Sequence, residues 1–310
     1  MNKMSTIENK DTLFESPNEV LNTTPYEDVR SAKTAGDRLT CELCPRLCQI
    51  PEGGTGFCQA RSVLDGEIKS LNYGELLSVA LDPIEKKPLA FFKPGYNVLS
   101  VGTFGCNMNC LFCQNHTIAR AKVGDYTTRY VSPKELVALA LVKRKDDNIG
   151  IAFTYNEPLV GFEYVRDTAQ IARQHNLETI VVTNGQINEA YLNQLLPYIT
   201  AWNIDLKSFS KEIYGRLGGD LDTTLRTIRL ANIASHVEVT TLIVPGISDD
   251  QELFKEQVKY LSTIDPDMPL HITRYFPRYR YDEDATSQAV LTEFYDIATR
   301  YLNRVRLGNV

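Results

Sequence analysis

The chain has 310 residues, with 39 acidic against 33 basic side chains and a net charge of -6. That length allows one large domain or two smaller ones, and the acidic balance disfavours broad binding to a nucleic-acid backbone. No apolar run is long enough to span a bilayer, so membrane insertion is not expected. The opening Met1-Asn2-Lys3-Met4 leads into polar, acidic sequence without an apolar signal core, and a cytoplasmic location is expected.

In chain order, residues 1–37 are rich in Asn, Thr, Glu and Asp with little periodicity. They read as a flexible N-terminal extension, with room for a short helix near residues 16–21. Residues 38–97 form a cysteine-rich segment. It carries Cys41, Cys44-Pro45, Cys48 and, after Gly53, Gly54 and Gly56, Cys58. Four closely spaced thiols without a secretion signal suggest metal ligation rather than disulfides. Either zinc or an iron–sulfur cluster satisfies this second metal site. Asp65-Gly66 turns a hairpin. The segment Asp82-Pro83-Ile84-Glu85-Lys86-Lys87-Pro88-Leu89 reads as a proline-punctuated loop, either a solvated connection or a cover for the site that follows.

Residues 98–310 alternate strand and helix patterns. Apolar or β-branched runs fall at residues 98–101, 149–153, 179–182, 202–206, 237–244 and 270–273. Amphipathic helices lie between them, one opened by the capping box Ser132-Pro133-Lys134-Glu135 and another at Ser248-Asp249-Asp250-Gln251. A last helix is expected at about residues 288–301. Repeated strand–helix units imply an α/β fold with a parallel sheet. Six strands are too few for a closed eight-stranded barrel, so a partial (β/α)6 barrel of TIM type is expected, with functional groups at the C-terminal strand ends.

The first of these strands delivers Gly105-Cys106-Asn107-Met108-Asn109-Cys110-Leu111-Phe112-Cys113. Thiolates are the soft ligands iron–sulfur clusters prefer. A cubane takes four of them, so three leave one iron open. The C-x3-C-x2-C spacing, with an aromatic before the last cysteine, resembles the radical S-adenosylmethionine (SAM) enzymes. The bland alternatives are reduced structural cysteines or a zinc loop.

The other strand ends add Thr154-Tyr155-Asn156-Glu157, Thr183-Asn184-Gly185, Asp205-Leu206-Lys207, Pro245-Gly246 and Arg274-Tyr275. Each alone is weak, because strand ends are polar loops. Together they suit SAM. A carboxylate near its ammonium fits Glu157. Its carboxylate and ribose fit Asn156, Thr183, Asn184, Asp205, Lys207 and Arg274, and Phe112 fits the adenine. His116, His175, His236 and His271 read as ordinary surface or core histidines, with His271 the one nearest the expected cavity.

The resemblance narrows further to the glycyl-radical-enzyme activases of the pyruvate formate-lyase activating type. Within these it is nearer still to the radical SAM protein of the AmmeMemoRadiSam system. It covers about residues 38–310, from the Cys41/Cys44/Cys48/Cys58 pattern to the terminal Gly308-Asn309-Val310. It implies a 4Fe–4S cluster on Cys106, Cys110 and Cys113, SAM on the fourth iron, and Glu157 as its amino-group contact. It also implies reductive cleavage to methionine and a 5′-deoxyadenosyl radical, and a flavodoxin or ferredoxin as electron donor. A glycyl radical enzyme is the implied protein substrate. Val182 and Phe276 depart from the activases, which tend to have Asp and His there, and leave that substrate open. A non-catalytic iron–sulfur electron carrier or metal-binding interaction module is the reading from another class; it accounts for the cysteines but not for the strand-end residues.

Overall fold

The computed structural model describes residues 31–33 and 38–310; the short helix expected at 16–21 lies outside them. An eight-stranded sheet organises the chain: β1 (Ser78–Pro83), β2 (Asn97–Gly102), β3 (Asn148–Phe153), β4 (Glu178–Thr183), β5 (Ala201–Asp205), β6 (His236–Ile243), β7 (Leu270–Arg274) and β8 (Val305–Gly308). The strands lie side by side in chain order. All neighbours from β2 to β8 are parallel, and β1 runs antiparallel to β2. The crossovers carry helices α1 (Pro133–Val142), α2 (Phe162–Gln174), α3 (Glu189–Leu195), α4 (Leu221–Ala234), α5 (Gln251–Ile264) and α6 (Gln288–Ala298). This is the expected partial barrel, extended by one strand at each edge. No described helix is long and apolar enough to cross a membrane.

Local signals set the helix starts. Ser132 accepts from the Glu135 amide while Glu135 reaches back to the Ser132 N–H, closing the capping box. Asp250 caps α5 through the Leu253 amide. In the N-terminal segment, strand Arg61–Leu64 pairs with Glu67–Ser70 across Asp65 and Gly66, both at positive φ, as a two-residue hairpin requires. The buried Arg61 forks onto Glu163 of α2 at 2.6 and 2.5 Å and donates to the Val160 carbonyl at 3.0 Å. The cysteine-rich segment is thereby fastened to the barrel.

Residues 82–89 differ from the sequence expectation. Asp82 and Pro83 end a sheet strand, Ser78–Pro83, rather than opening a loop. The turn after it does not cover the cysteine loop: Pro83 pairs with Asn97 at the start of β2, the opposite end from the cysteines. Ile84 and Leu89 enter the barrel there and pack with Val98, Ala152, Ile180 and Ala201. Polar clamps hold this floor. Asp82 accepts from Lys87 at 2.7 Å and from the Tyr155 hydroxyl at 2.8 Å. Burial alone would raise the Asp82 pKa, but Lys87 outweighs it and holds it down at about 2. Glu238 accepts from the amides of Ala90 and Phe91 at 3.0 and 2.8 Å and faces the Nε2 atoms of His236 and His271 at 2.9 and 2.5 Å. His236 and His271 are thus floor residues, and His271 does not reach the mouth of the barrel.

Burial works against the charge of Glu238, yet the histidine bonds prevail and hold its pKa at about 2, below the ordinary 4.5. A depressed carboxylate stabilises the fold fully above its unfolded pKa, and that contribution fades as pH falls from 4.5 towards 2. Glu238→Gln should therefore cost about 3 kcal/mol at neutral pH. Denaturant unfolding measures the loss, hydrogen exchange should show the Ala90 and Phe91 amides opening first, and the deficit should shrink in acid.

Candidate active site

The cysteine loop runs from Thr103 to Asn115 without helix or strand, so side chains must hold it. Asn156 does most of this at one end. Its Oδ1 accepts from the Thr103 amide at 3.1 Å, and its Nδ2 faces the Thr103 hydroxyl and the carbonyls of Phe104 and Gly105 at 3.1–3.2 Å. Asn184 acts next. Its Nδ2 donates to Asn107 Oδ1 at 2.9 Å and lies 3.7 Å from Cys106 Sγ, while its Oδ1 accepts from the Gln186 amide at 2.9 Å. Arg120 binds the carbonyls of Cys106 and Met108 at 2.5 and 2.7 Å, and Arg46 binds those of Asn107 and Gly218, both at 2.7 Å. Gly105 sits at φ +96°, and a Cβ there would stand 2.6 Å from the Cys58 carbonyl oxygen. Only glycine permits that approach.

Tyr155 aims the loop that follows β3. It occupies the left-handed region at φ 75°, an unfavourable state for a bulky L-residue. Its hydroxyl on Asp82 and its ring, with the Lys87 ammonium 4.6 Å from the centroid, hold it there. This turn delivers Glu157 to the interior, where it is 3% exposed. Glu157 Oε1 accepts from the Thr183 hydroxyl at 2.6 Å and the Leu159 amide at 3.1 Å; Oε2 accepts from the Asn184 amide at 2.8 Å. None of these donors is a cation. Burial, reinforced by the nearby Asp205 charge, pushes the Glu157 carboxyl up to about 7. A desolvated carboxylate with a free lone pair and no positive partner among those groups is a place for a cation.

Cys106, Cys110 and Cys113 carry no disulfide. Burial raises all three thiols, Cys110 to about 11, and Glu157 adds to the effect at Cys106. Such thiols keep their protons until a metal replaces them. Lys207 stands near Cys110 and pairs with Asp205 at 2.6 Å. Burial works against its charge, but Asp205 and Cys110 prevail and hold the proton firmly. Both side chains remain partly open to solvent.

The structure brings Cys106, Cys110, Cys113, Glu157, Asp205 and Lys207 together, and revises other expectations. Asn156, Thr183 and Asn184 brace the loop and Glu157 rather than offering free groups to a ligand. Phe112 is buried in the main apolar core. Arg274 leaves the site: it pairs in register with the core residue Ile243 and donates to the Thr286 carbonyl at 2.8 Å. Alternation along a strand points neighbours to opposite faces, and here it turns Arg274 outward. No motif points to Arg46, Asn107 and Arg120: each binds mainly backbone or another amide, Arg46 and Asn107 far along the chain and Arg120 within the neighbouring loop.

Comparison with known proteins decides the family. The model of the radical SAM superfamily matches residues 100–257. The chain belongs to the radical SAM superfamily. An uncharacterized protein of Methanocaldococcus jannaschii is 36% identical over 251 residues, 80% of this chain and 74% of that protein. The pyruvate formate-lyase 1-activating enzyme of Escherichia coli is 28% identical over 152 residues, 48% of this chain and 61% of that enzyme. Among solved structures, a radical SAM methyltransferase from Sphaerobacter thermophilus aligns over 90% of this chain and 75% of its own, with TM-score 0.55 and 14% identity. Streptococcus suis SuiB bound to SAM aligns over 65% of this chain and 48% of its own, with TM-score 0.51 and 16% identity. These two share the fold of this chain.

The residues present fit the cluster and SAM that the superfamily implies: three thiols on a braced loop, beside a buried carboxylate lacking a cation. SAM affinity should therefore rise as pH increases through about 7, where Glu157 ionises. Glu157→Gln should weaken SAM binding roughly ten- to hundredfold. Its amide would set an NH2 against one of the donors that now face Glu157, so iron content is measured alongside. Unchanged iron with weakened SAM binding is expected; equal loss of both would contradict the role.

Proposed function

We propose that this radical SAM enzyme cleaves SAM reductively and abstracts hydrogen from a substrate in the barrel mouth. The observation that carries it is Glu157, a buried carboxylate facing only neutral donors and set beside Cys106. Cys106, Cys110 and Cys113 would hold the 4Fe–4S cluster, which when bound would supply one-electron reduction of the SAM sulfonium. Glu157 would take the SAM ammonium, and Asn184 orients Cys106. Asp205 would accept from the ribose, and Lys207 would offset negative charge gathered on the thiolates. The floor at Ile84 and Leu89 closes the barrel from below and keeps water from the reacting carbon.

Activation of a glycyl radical enzyme is the more specific reading. Its support is the likeness to pyruvate formate-lyase activating enzymes, of which the chain spans 61% in the Escherichia coli case. Val182 and Phe276 weigh against pyruvate formate-lyase itself as the partner. A flavodoxin or ferredoxin would supply the electron, and the AmmeMemoRadiSam system is the proposed setting.

The test is anaerobic reconstitution with dithionite and SAM. Uncoupled 5′-deoxyadenosine should accumulate with wild type and vanish with Cys113→Ala. An electron carrier would show a redox-active cluster and no SAM cleavage.

A further inference from the structure

Four thiols remain outside this chemistry. Cys41, Cys44, Cys48 and Cys58 are free, and their charges are mutually felt. Two loops bring them together. The Cys41 amide donates to the Cys48 carbonyl at 2.8 Å, closing the first loop. The Gly53 and Gly56 amides bond to the Val63 and Arg61 carbonyls at 2.9 and 2.8 Å, folding the second loop back.

The backbone around these sulfurs repeats that of the catalytic loop. In the catalytic loop, amides two residues on, at Met108 and Asn115, donate to Cys106 and Cys113. In the quartet, the amides of Leu43, Arg46 and Ala60 do the same for Cys41, Cys44 and Cys58. Such N–H groups stabilise thiolates and tune clusters bound to them.

The two loops also touch. The Cys58 carbonyl lies against Gly105, leaving no space for a Cβ. Arg46, between Cys44 and Cys48, donates to the Asn107 carbonyl next to Cys106. Phe57, before Cys58, has the Arg46 guanidinium 3.5 Å and the Arg120 guanidinium 5.2 Å from its ring centroid, and Arg120 holds the Cys106 carbonyl. Leu47 is 49% exposed beside Cys48, so the quartet reaches the surface. The quartet thus adjoins the catalytic loop at Gly105 and Asn107.

We infer that Cys41, Cys44, Cys48 and Cys58 hold a second iron–sulfur cluster that relays electrons to the cluster on Cys106, Cys110 and Cys113. One electron from a one-electron flavin or iron–sulfur protein reduces the quartet cluster. The same electron then passes to the catalytic cluster and reoxidises the first, with no bond made or broken. This rests on the radical SAM reading of the trio, and the tests keep the two apart.

Wild type reconstituted anaerobically with iron and sulfide should hold about eight irons per chain. When both centres are reduced, its paramagnetic spectrum should show spin coupling between neighbours. The combined variant Cys106→Ala, Cys110→Ala and Cys113→Ala should keep about four irons and a spectrum indifferent to SAM. Cys44→Ser with Cys58→Ser should keep the SAM-responsive cluster. Its reduction by reduced flavodoxin should slow by an order of magnitude, with reduction by dithionite little changed. Zinc in the quartet, a single iron centre in wild type, two centres without coupling, or an unchanged flavodoxin rate would each overturn the relay. Failure of SAM to perturb the catalytic cluster would instead overturn the reading of the trio. Should the double serine variant not fold, the wild-type iron count and spin coupling still decide.

Discussion

An irregular loop must hold three thiols still without help from a helix or strand, and everything near the mouth of this barrel answers to that constraint. A backbone outside regular structure leaves carbonyls and amides in need of partners. Asn156 and Arg46 supply them from distant parts of the chain and Arg120 from just beyond the loop, while Asn184 holds the Asn107 side chain. Each bond is modest by itself. Together they hold the backbone that carries the sulfurs, which is what a metal site gains from rigid support around its ligands.

Glu157 joins this scaffold to the proposed chemistry. Its two oxygens tie the end of β3 to the end of β4 through Thr183 and Asn184. The same burial that makes it a good tie makes its negative charge expensive. The protein leaves that charge without a cationic side chain among its bonding partners, which is why the SAM ammonium is proposed to sit there. The structural role and the proposed binding role thus meet on one carboxylate, and the strained Tyr155 turn is what places it.

The floor and the mouth of the barrel use opposite electrostatic solutions. At the floor, Asp82 and Glu238 meet Lys87, His236 and His271, so their charges are settled within the protein. At the mouth, Glu157 has no such partner. A buried charge that is already paired holds structure, whereas one left unpaired is available to a ligand. That contrast separates the residues of residues 82–91 from those of the active site, although both sets looked equally polar along the chain.

The spacing of Cys106, Cys110 and Cys113 and the alternation of strands with helices were determined by local sequence. Thiol chemistry and backbone periodicity act over a few residues, so the family and the partial barrel could be read directly. The position of Glu157 followed from the same logic of strand ends. Tertiary structure alone decided that Asn156 and Asn184 brace the loop, that Arg274 faces away, and that Ser78–Pro83 joins the sheet with its following turn as a floor. Those outcomes depend on partners up to 148 residues away, as with Ala90 and Glu238, and on which face of a strand a register presents. No local pattern of residues encodes such pairings, because the bond belongs to the folded geometry rather than to either residue.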